Sequence, residues 1–282
     1  MTVKDDRLLA PTLWTAVLIV PVLVAAFVIL FLDRTRQLWA WTIAPSMTAM
    51  VMGAGYLSGA YFFVRVATVR RWHRVWPGFV STTLFTTVLL LATLLHWDKF
   101  DHGHVSFWAW LTLYVVTPAL LPWLWWLNRR TDPGTAEPGD VRVDRRLRLA
   151  VATAGALQLL VAAVILIRPG LAIAHAPWEL TPLTARTVSA FIAFPAATML
   201  CFLADDRWSS FRIPFETATF GLCLVGLAAI RAHGDLQGPR SSVALFVFAL
   251  VIAIVLLIAL QVVLDRREGA ATPAGTSGSP SS

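Results

Sequence analysis

Residues 242–264, SVALFVFALVIAIVLLIALQVVL, contain no charged side chain and are long enough to cross the hydrocarbon core of a bilayer. Seven other long apolar runs precede this segment, and the pattern predicts an all-α polytopic membrane protein with about eight transmembrane helices. The predicted spans are 11–32, 40–64, 77–96, 105–128, 148–167, 182–203, 214–231 and 242–264.

The overall composition leads to the same class. Hydrophobic residues make up 57% of the 282 and charged residues 14%, whereas a soluble domain has roughly a quarter of its residues charged. The net charge of +7 could suggest nucleic acid, but no basic patch is interleaved with aromatic residues as that binding requires. The expected partner is therefore the lipid bilayer, and nucleic acid is excluded.

The distribution of Lys and Arg predicts the orientation. If the N-terminus is cytoplasmic, sixteen of these residues fall in inside segments and seven in outside segments. Positive charge favours the cytoplasmic side. We therefore expect a multi-pass protein of the cell membrane with both termini in the cytoplasm.

A gapless shift of 137 residues indicates two copies of a four-helix unit. It aligns these pairs: Trp41 with Trp178, Pro45 with Pro182, Arg70 with Arg207, Pro77 with Pro214, His96 with His233, and Asp98 with Asp235. An even number of spans per copy makes the repeats parallel. The predicted organisation is a first repeat at 1–130, a cytoplasmic linker at 131–146, a second repeat at 147–267 and a disordered tail at 268–282.

Residues 96–104, HWDKFDHGH, form the stretch richest in potential ligands, on the predicted outer face. Imidazole and carboxylate groups bind transition metals and move protons near neutral pH. The candidate metal ligands are His96, Asp98, Asp101, His102 and His104. A purely structural alternative is that a short polar turn needs Asp, His and Gly for capping and solvation. No established zinc spacing is present, so the identity of any cofactor, metal or haem, stays open.

The repeat and the intramembrane charge suggest a substrate site near the outer face. The candidate residues are Arg186, His96, Asp98, His233 and Asp235. Arg186 lies within the sixth span, where a charge is costly and often functional; an anion or Glu179 could pair with it, or it could extend to the headgroups. Glu216 is expected to complement the dipole at the start of the seventh span.

Gly55 and Gly59 form a small-residue face on the second span. Such a face allows close packing within the bundle, or against a second copy or a membrane partner.

Three functions remain open from the sequence. The first is transport or binding of a small solute between the two repeats near the outer face. The second is a membrane-embedded enzyme or a metal or haem protein that uses the outer His/Asp cluster. The third is a structural or assembly subunit of a membrane complex. The sequence contains no Walker A, dinucleotide-binding, H-E-x-x-H or G-x-S-x-G motif that would favour a particular chemistry.

Overall fold

The computed structural model describes residues 4–32 and 34–271. Eight of the helices in this part are long and apolar enough to cross a membrane. They are α1 (Ala10–Phe31), α2 (Ser46–Val69), α3 (Trp76–Leu95), α4 (Val105–Asn128), α5 (Arg145–Ile167), α6 (Pro182–Cys201), α7 (Trp208–Arg231) and α8 (Arg240–Ala271). The described residues contain two isolated bridges but no strand. The all-α class and the eight apolar helices are confirmed, and they indicate a multi-pass membrane protein.

The long helices alternate in direction, so their connections gather on two faces. One face carries the segments after α1, α3, α5 and α7 (34–45, 96–104, 168–181 and 232–239), and we call it the histidine face. Two short helices, Thr35–Leu38 and Pro169–His175, and two 3-10 turns, Trp97–Lys99 and His233–Asp235, lie here. The opposite face carries residues 4–9, the segments 70–75, 129–144 and 202–207, and the end of α8. We call it the linker face.

Two helices begin at positions that differ from the sequence prediction. α2 begins at Ser46 rather than residue 40, with Pro45 as its N-cap. A residue that precedes proline is disfavoured in the helical region, and this keeps the preceding segment out of the helix. α7 begins at Trp208, so Pro214 lies inside the helix rather than at its start.

The four helices α2, α3, α6 and α7 form the centre of the bundle. α2 packs on α7 and α3 packs on α6, so both central contacts join the first four helices to the last four. On the periphery, α1 packs on α2, α4 on α3, α5 on α6 and α8 on α7. In the most apolar 18-residue stretch of α2, 67% of the residues are buried by protein. In the corresponding stretch of α8, none are buried. The surface of α8 is therefore left to lipid or to another protein.

The predicted tail begins at residue 268, but α8 continues to Ala271. The rest of the predicted tail lies outside the described residues.

Candidate functional site

A cavity of about 990 Å³ lies between the central helices. Ligand pockets in proteins usually measure roughly 300–1,000 Å³, so this cavity could hold an extended molecule. Residues of all eight long helices contribute to its wall, and no charged side chain is among them. Phe191 and Phe194 of α6 and Pro214 of α7 are typical of the lining.

The cavity also reaches the outer surface of the bundle. Leu18 of α1 and Leu256 of α8 both line it, and their exposed fractions are 67% and 62%. Both residues lie within the apolar spans, where the surroundings are hydrocarbon. The cavity is therefore accessible sideways, between peripheral helices.

Several threonine hydroxyls of the wall donate to the backbone of their own helix. Thr82 donates to the carbonyl of Gly78 and Thr117 to that of Leu113, each at 2.7 Å. The hydroxyls of Tyr56 and Tyr114 differ, because they bond to each other at 2.6 Å. Both tyrosines line the cavity near the middle of α2 and α4. They are its most distinctive polar feature.

Gly55 of α2 makes room for the ring of Phe191 of α6 beside the cavity. A Cβ atom at this position would lie 2.0 Å from Cε1 of Phe191. At Gly59 an added Cβ would meet Leu23 of α1 at an ordinary 3.5 Å. The predicted small-residue face thus packs within the chain. Contact with a second copy or a membrane partner through these glycines stays a prediction.

The linker face holds a buried ion-pair network centred on Arg207, which is 6% exposed. Its guanidinium donates to the Asp132 carboxylate at 2.8 and 2.9 Å and to Asp205 at 2.7 Å. Burial alone would raise the pKa of Asp132 and Asp205, but the hydrogen bonds from Arg207 outweigh it and hold both pKa values below their usual range. The sequence singles out Arg207 as the repeat partner of Arg70, but it does not show that Arg207 is the centre of an ion-pair network.

The predicted linker is packed against both halves of the chain. Glu137 accepts hydrogen bonds from Arg71 and Arg74 of the first half. Asp140 accepts from the backbone N–H and hydroxyl of Ser209 in the second half. Burial would raise the pKa of Glu137, but the hydrogen bond and charge of Arg74 lower it. The linker is a folded strap across this face.

Among the described residues, one group of three potential metal ligands has its ligand atoms within 4.8 Å of one another. The group consists of Asp6, His73 and Glu137 on the linker face. Nδ1 of the buried His73 contacts the Asp6 carboxylate, and Nε2 lies 3.4 Å from Oε1 of Glu137. Two guanidinium groups already bind Glu137, and their charge disfavours a cation. We therefore interpret the trio as an ion-pair cluster that joins the N-terminal segment, the α2–α3 turn and the linker.

Glu216 is also an ion-pair residue rather than a helix cap. Because α7 begins at Trp208, Glu216 lies inside the helix. It contacts Arg65 of α2 and accepts a hydrogen bond from the Tyr61 hydroxyl. The prediction of a dipole-complementing carboxylate at the helix start was wrong for this reason.

Arg186 joins the two halves on the histidine face. Its Nε donates to the carbonyl of Leu166 at 2.9 Å, and Nη1 donates to Nε2 of His96 at 2.7 Å. Its partners are thus a carbonyl and an imidazole rather than Glu179. Burial, followed by the charge of Arg186, lowers the pKa of His96. This pairing brings together two of the predicted substrate residues.

Asp235 makes a further contact between the halves on this face, beside the hydrogen bond from Trp178 Nε1 to the Thr48 hydroxyl. The Asp235 carboxylate accepts the backbone N–H of Met47 at 2.8 Å, in the first turn of α2. His233 is exposed and bonds only locally, to the carbonyl of Ile230. Asp98 is exposed and pairs with Lys99. His233 and Asp98 thus contribute no contact between the halves.

The other predicted metal ligands make contacts within the 96–104 turn and with adjacent segments, and Nε2 of His104 lies 3.1 Å from the carbonyl oxygen of Gln37. The Asp101 carboxylate accepts the backbone N–H of Gly103, and His104 accepts that of Ser106 at the start of α4. The ring of His102 lies 5.0 Å from that of Trp97. Metal binding by this turn stays a prediction that no contact among the described residues supports.

Comparison with protein-family models, with curated proteins and with solved structures found no match for this chain.

Proposed function

We propose that the protein binds a neutral, lipid-soluble small molecule in the cavity between its two halves and exchanges it sideways with the bilayer. The observation that carries this proposal is the large, uncharged cavity with exposed lining residues within the spans. The sequence suggests transport or binding of a small solute. The present proposal specifies that this solute is neutral and lipid-soluble. The favoured site lies at mid-membrane depth rather than near the outer face.

The chemistry of the wall supports an apolar solute. An ion in this cavity would lose its hydration shell without meeting an opposite charge, at a cost of several kcal/mol or more. The charged side chains described above lie instead towards the two faces, where they pair with one another or with backbone groups. The interior therefore suits a molecule that partitions into hydrocarbon.

We further propose that the halves are two parallel copies of a four-helix unit. In support, the first helix of each half packs on the second, and the third packs on the fourth. Between the halves, the second helix of each half packs on the third helix of the other, so the two contacts are equivalent. Each half also contains a two-bond backbone bridge on the linker face. The bonds are Leu8 N to Arg70 O and Trp72 N to Asp6 O in the first half, and Val143 N to Asp206 O and Trp208 N to Val141 O in the second.

The bridges favour a register slightly different from that of the sequence alignment. Trp72 and Trp208, both fully buried, occupy the same place in the two bridges and are 136 rather than 137 residues apart. The 3-10 turns agree, because the bond from Phe100 N to Trp97 O corresponds to that from Leu236 N to His233 O. In this register Asp98 and Asp235 are not equivalent, which accounts for their different contacts.

The cellular setting is proposed on the basis of charge. Sixteen of the Lys and Arg residues fall in segments on the side of the linker face, which favours a cytoplasmic position for that face and both termini. We propose the cell membrane as the location.

The test is equilibrium binding of tritiated octadecane to the protein in lipid nanodiscs, with binding to empty nanodiscs subtracted. We expect saturable binding that Ala218→Trp weakens by about tenfold, because the indole would occupy cavity space. Ala249→Trp places the same side chain on the exposed surface of α8 and should have no effect. Absence of saturable binding, or equal binding by the two variants, would overturn the proposal.

A further inference from the structure

The hydroxyl groups of Tyr56 and Tyr114 include one hydrogen-bond donor for which the described residues supply no acceptor. Two phenolic hydroxyls have two protons, and the bond between them uses one. Neither hydroxyl makes a second hydrogen bond to any described residue. The remaining O–H is therefore a donor without a protein acceptor, at a site where Tyr56 is 5% and Tyr114 1% exposed.

A buried donor of this kind is costly unless something accepts its hydrogen bond. Water is a poor candidate, because an ordered buried water usually has about three polar partners. Among the described residues, no threonine hydroxyl of the wall accepts a hydrogen bond from either tyrosine. An acceptor oxygen on the bound molecule would satisfy the proton with a single contact.

The surroundings of the pair define the rest of the molecule. The Tyr114 ring packs on Trp110, with 4.4 Å between ring centroids, and the Tyr56 ring meets the edge of Trp39 at 5.8 Å. The remainder of the cavity wall is apolar and without charge. A carboxylate would therefore lie among aromatic rings with no cation to pair with it, which disfavours a fatty acid.

We infer that the cavity selects a long apolar molecule carrying a neutral hydrogen-bond-accepting oxygen, of the ketone, ester or quinone type, and that the Tyr56–Tyr114 pair donates to this oxygen. This inference rests on the proposed function, since it names the class of ligand for the same cavity. The pair is well suited to this role, because a hydroxyl that accepts one hydrogen bond becomes a stronger donor in the next. The oxygen would then lie near the middle of the membrane.

Three compounds with the same number of non-hydrogen atoms test the inference: octadecane, methyl pentadecyl ketone and palmitate. Each is measured in tritiated form with the protein in nanodiscs, and each affinity is corrected for partition into empty nanodiscs. We expect the ketone to bind about fivefold more tightly than octadecane, the effect of one net hydrogen bond. Palmitate should bind more weakly than both.

The variants separate the hydroxyl pair from the cavity itself. Tyr56→Phe with Tyr114→Phe removes both donors, and it should abolish the preference for the ketone while leaving octadecane binding unchanged. Either single substitution leaves one hydroxyl able to donate, so the preference should persist. Equal affinities for ketone and octadecane, or a preference that survives in the double variant, would overturn the inference while the proposed function stands. Failure of octadecane itself to bind would instead overturn the proposed function.

Discussion

The two faces of the bundle join its halves by different means. On the linker face, Arg207 is buried between two carboxylates, and the strap 131–140 binds side chains of both halves. On the histidine face, Arg186 meets only a carbonyl and an imidazole, and Asp235 accepts a single backbone N–H. Five of the six histidines lie in segments of the second face, yet the buried charge lies at the first. A local density of histidine is therefore a weaker guide to a polar centre than the contacts among distant segments.

The largest expected difference between the faces is that between their two arginines. Arg207→Ala would leave the buried Asp205 and the half-buried Asp132 without a compensating positive charge, so we expect a loss of about 3–5 kcal/mol in the free energy of unfolding. Arg186→Ala should cost less, about 1–3 kcal/mol, because its partners are neutral. Unfolding in mixed detergent micelles measures both, with the exposed Arg145→Ala as a control that should change little. Equal losses at the two positions would contradict the comparison.

The same contrast explains which features could be predicted from the sequence. The eight helices follow from runs of apolar residues, each of which is a local property of the chain. The start of α7 was missed because Pro214 resembles a first-turn proline, although the helix begins at Trp208. The trio of Asp6, His73 and Glu137 could not be predicted, because its members come from three separate segments. The cavity likewise depends on how the helices pack, and no local pattern encodes that packing.

The pH dependence of stability should also distinguish the faces. The pKa of His96 is lowered, so its contact with Arg186 stabilises the fold above the unfolded value of about 6.5 and is lost as pH falls through the lower folded pKa. The pKa values of Asp132, Glu137 and Asp205 are also lowered, so their contribution persists to about pH 4 and is lost below it. The histidine face should therefore weaken first on acidification.

Unfolding free energies measured over a pH series test this order. His96→Gln should remove the decline that begins near pH 6.5, which we expect to be under about 1 kcal/mol because the site is partly hydrated. Asp205→Asn should leave that decline in place and reduce the steeper one below about pH 4. A single decline that both variants alter equally would show that the faces do not titrate independently.

The smallest predicted effect concerns two aspartates on the histidine face. Asp235→Ala removes the acceptor for the Met47 N–H and should cost about 1 kcal/mol, as loss of a helix cap does. Asp98→Ala removes an exposed ion pair with Lys99 and should have no measurable effect. Thermal unfolding of the two variants measures the difference. Similar losses would favour the 137-residue register, in which these residues are equivalent.

The central claim is that an apolar molecule occupies the space between the halves, and photolabelling with a diazirine derivative of octadecane tests it most directly. The account predicts labelled peptides at the cavity wall, around Tyr56 of α2 and Ala218 of α7, with labelling that excess octadecane suppresses. Labelling confined to lipid-facing positions such as Phe248 of α8, which is 65% exposed, and insensitive to excess octadecane would contradict it.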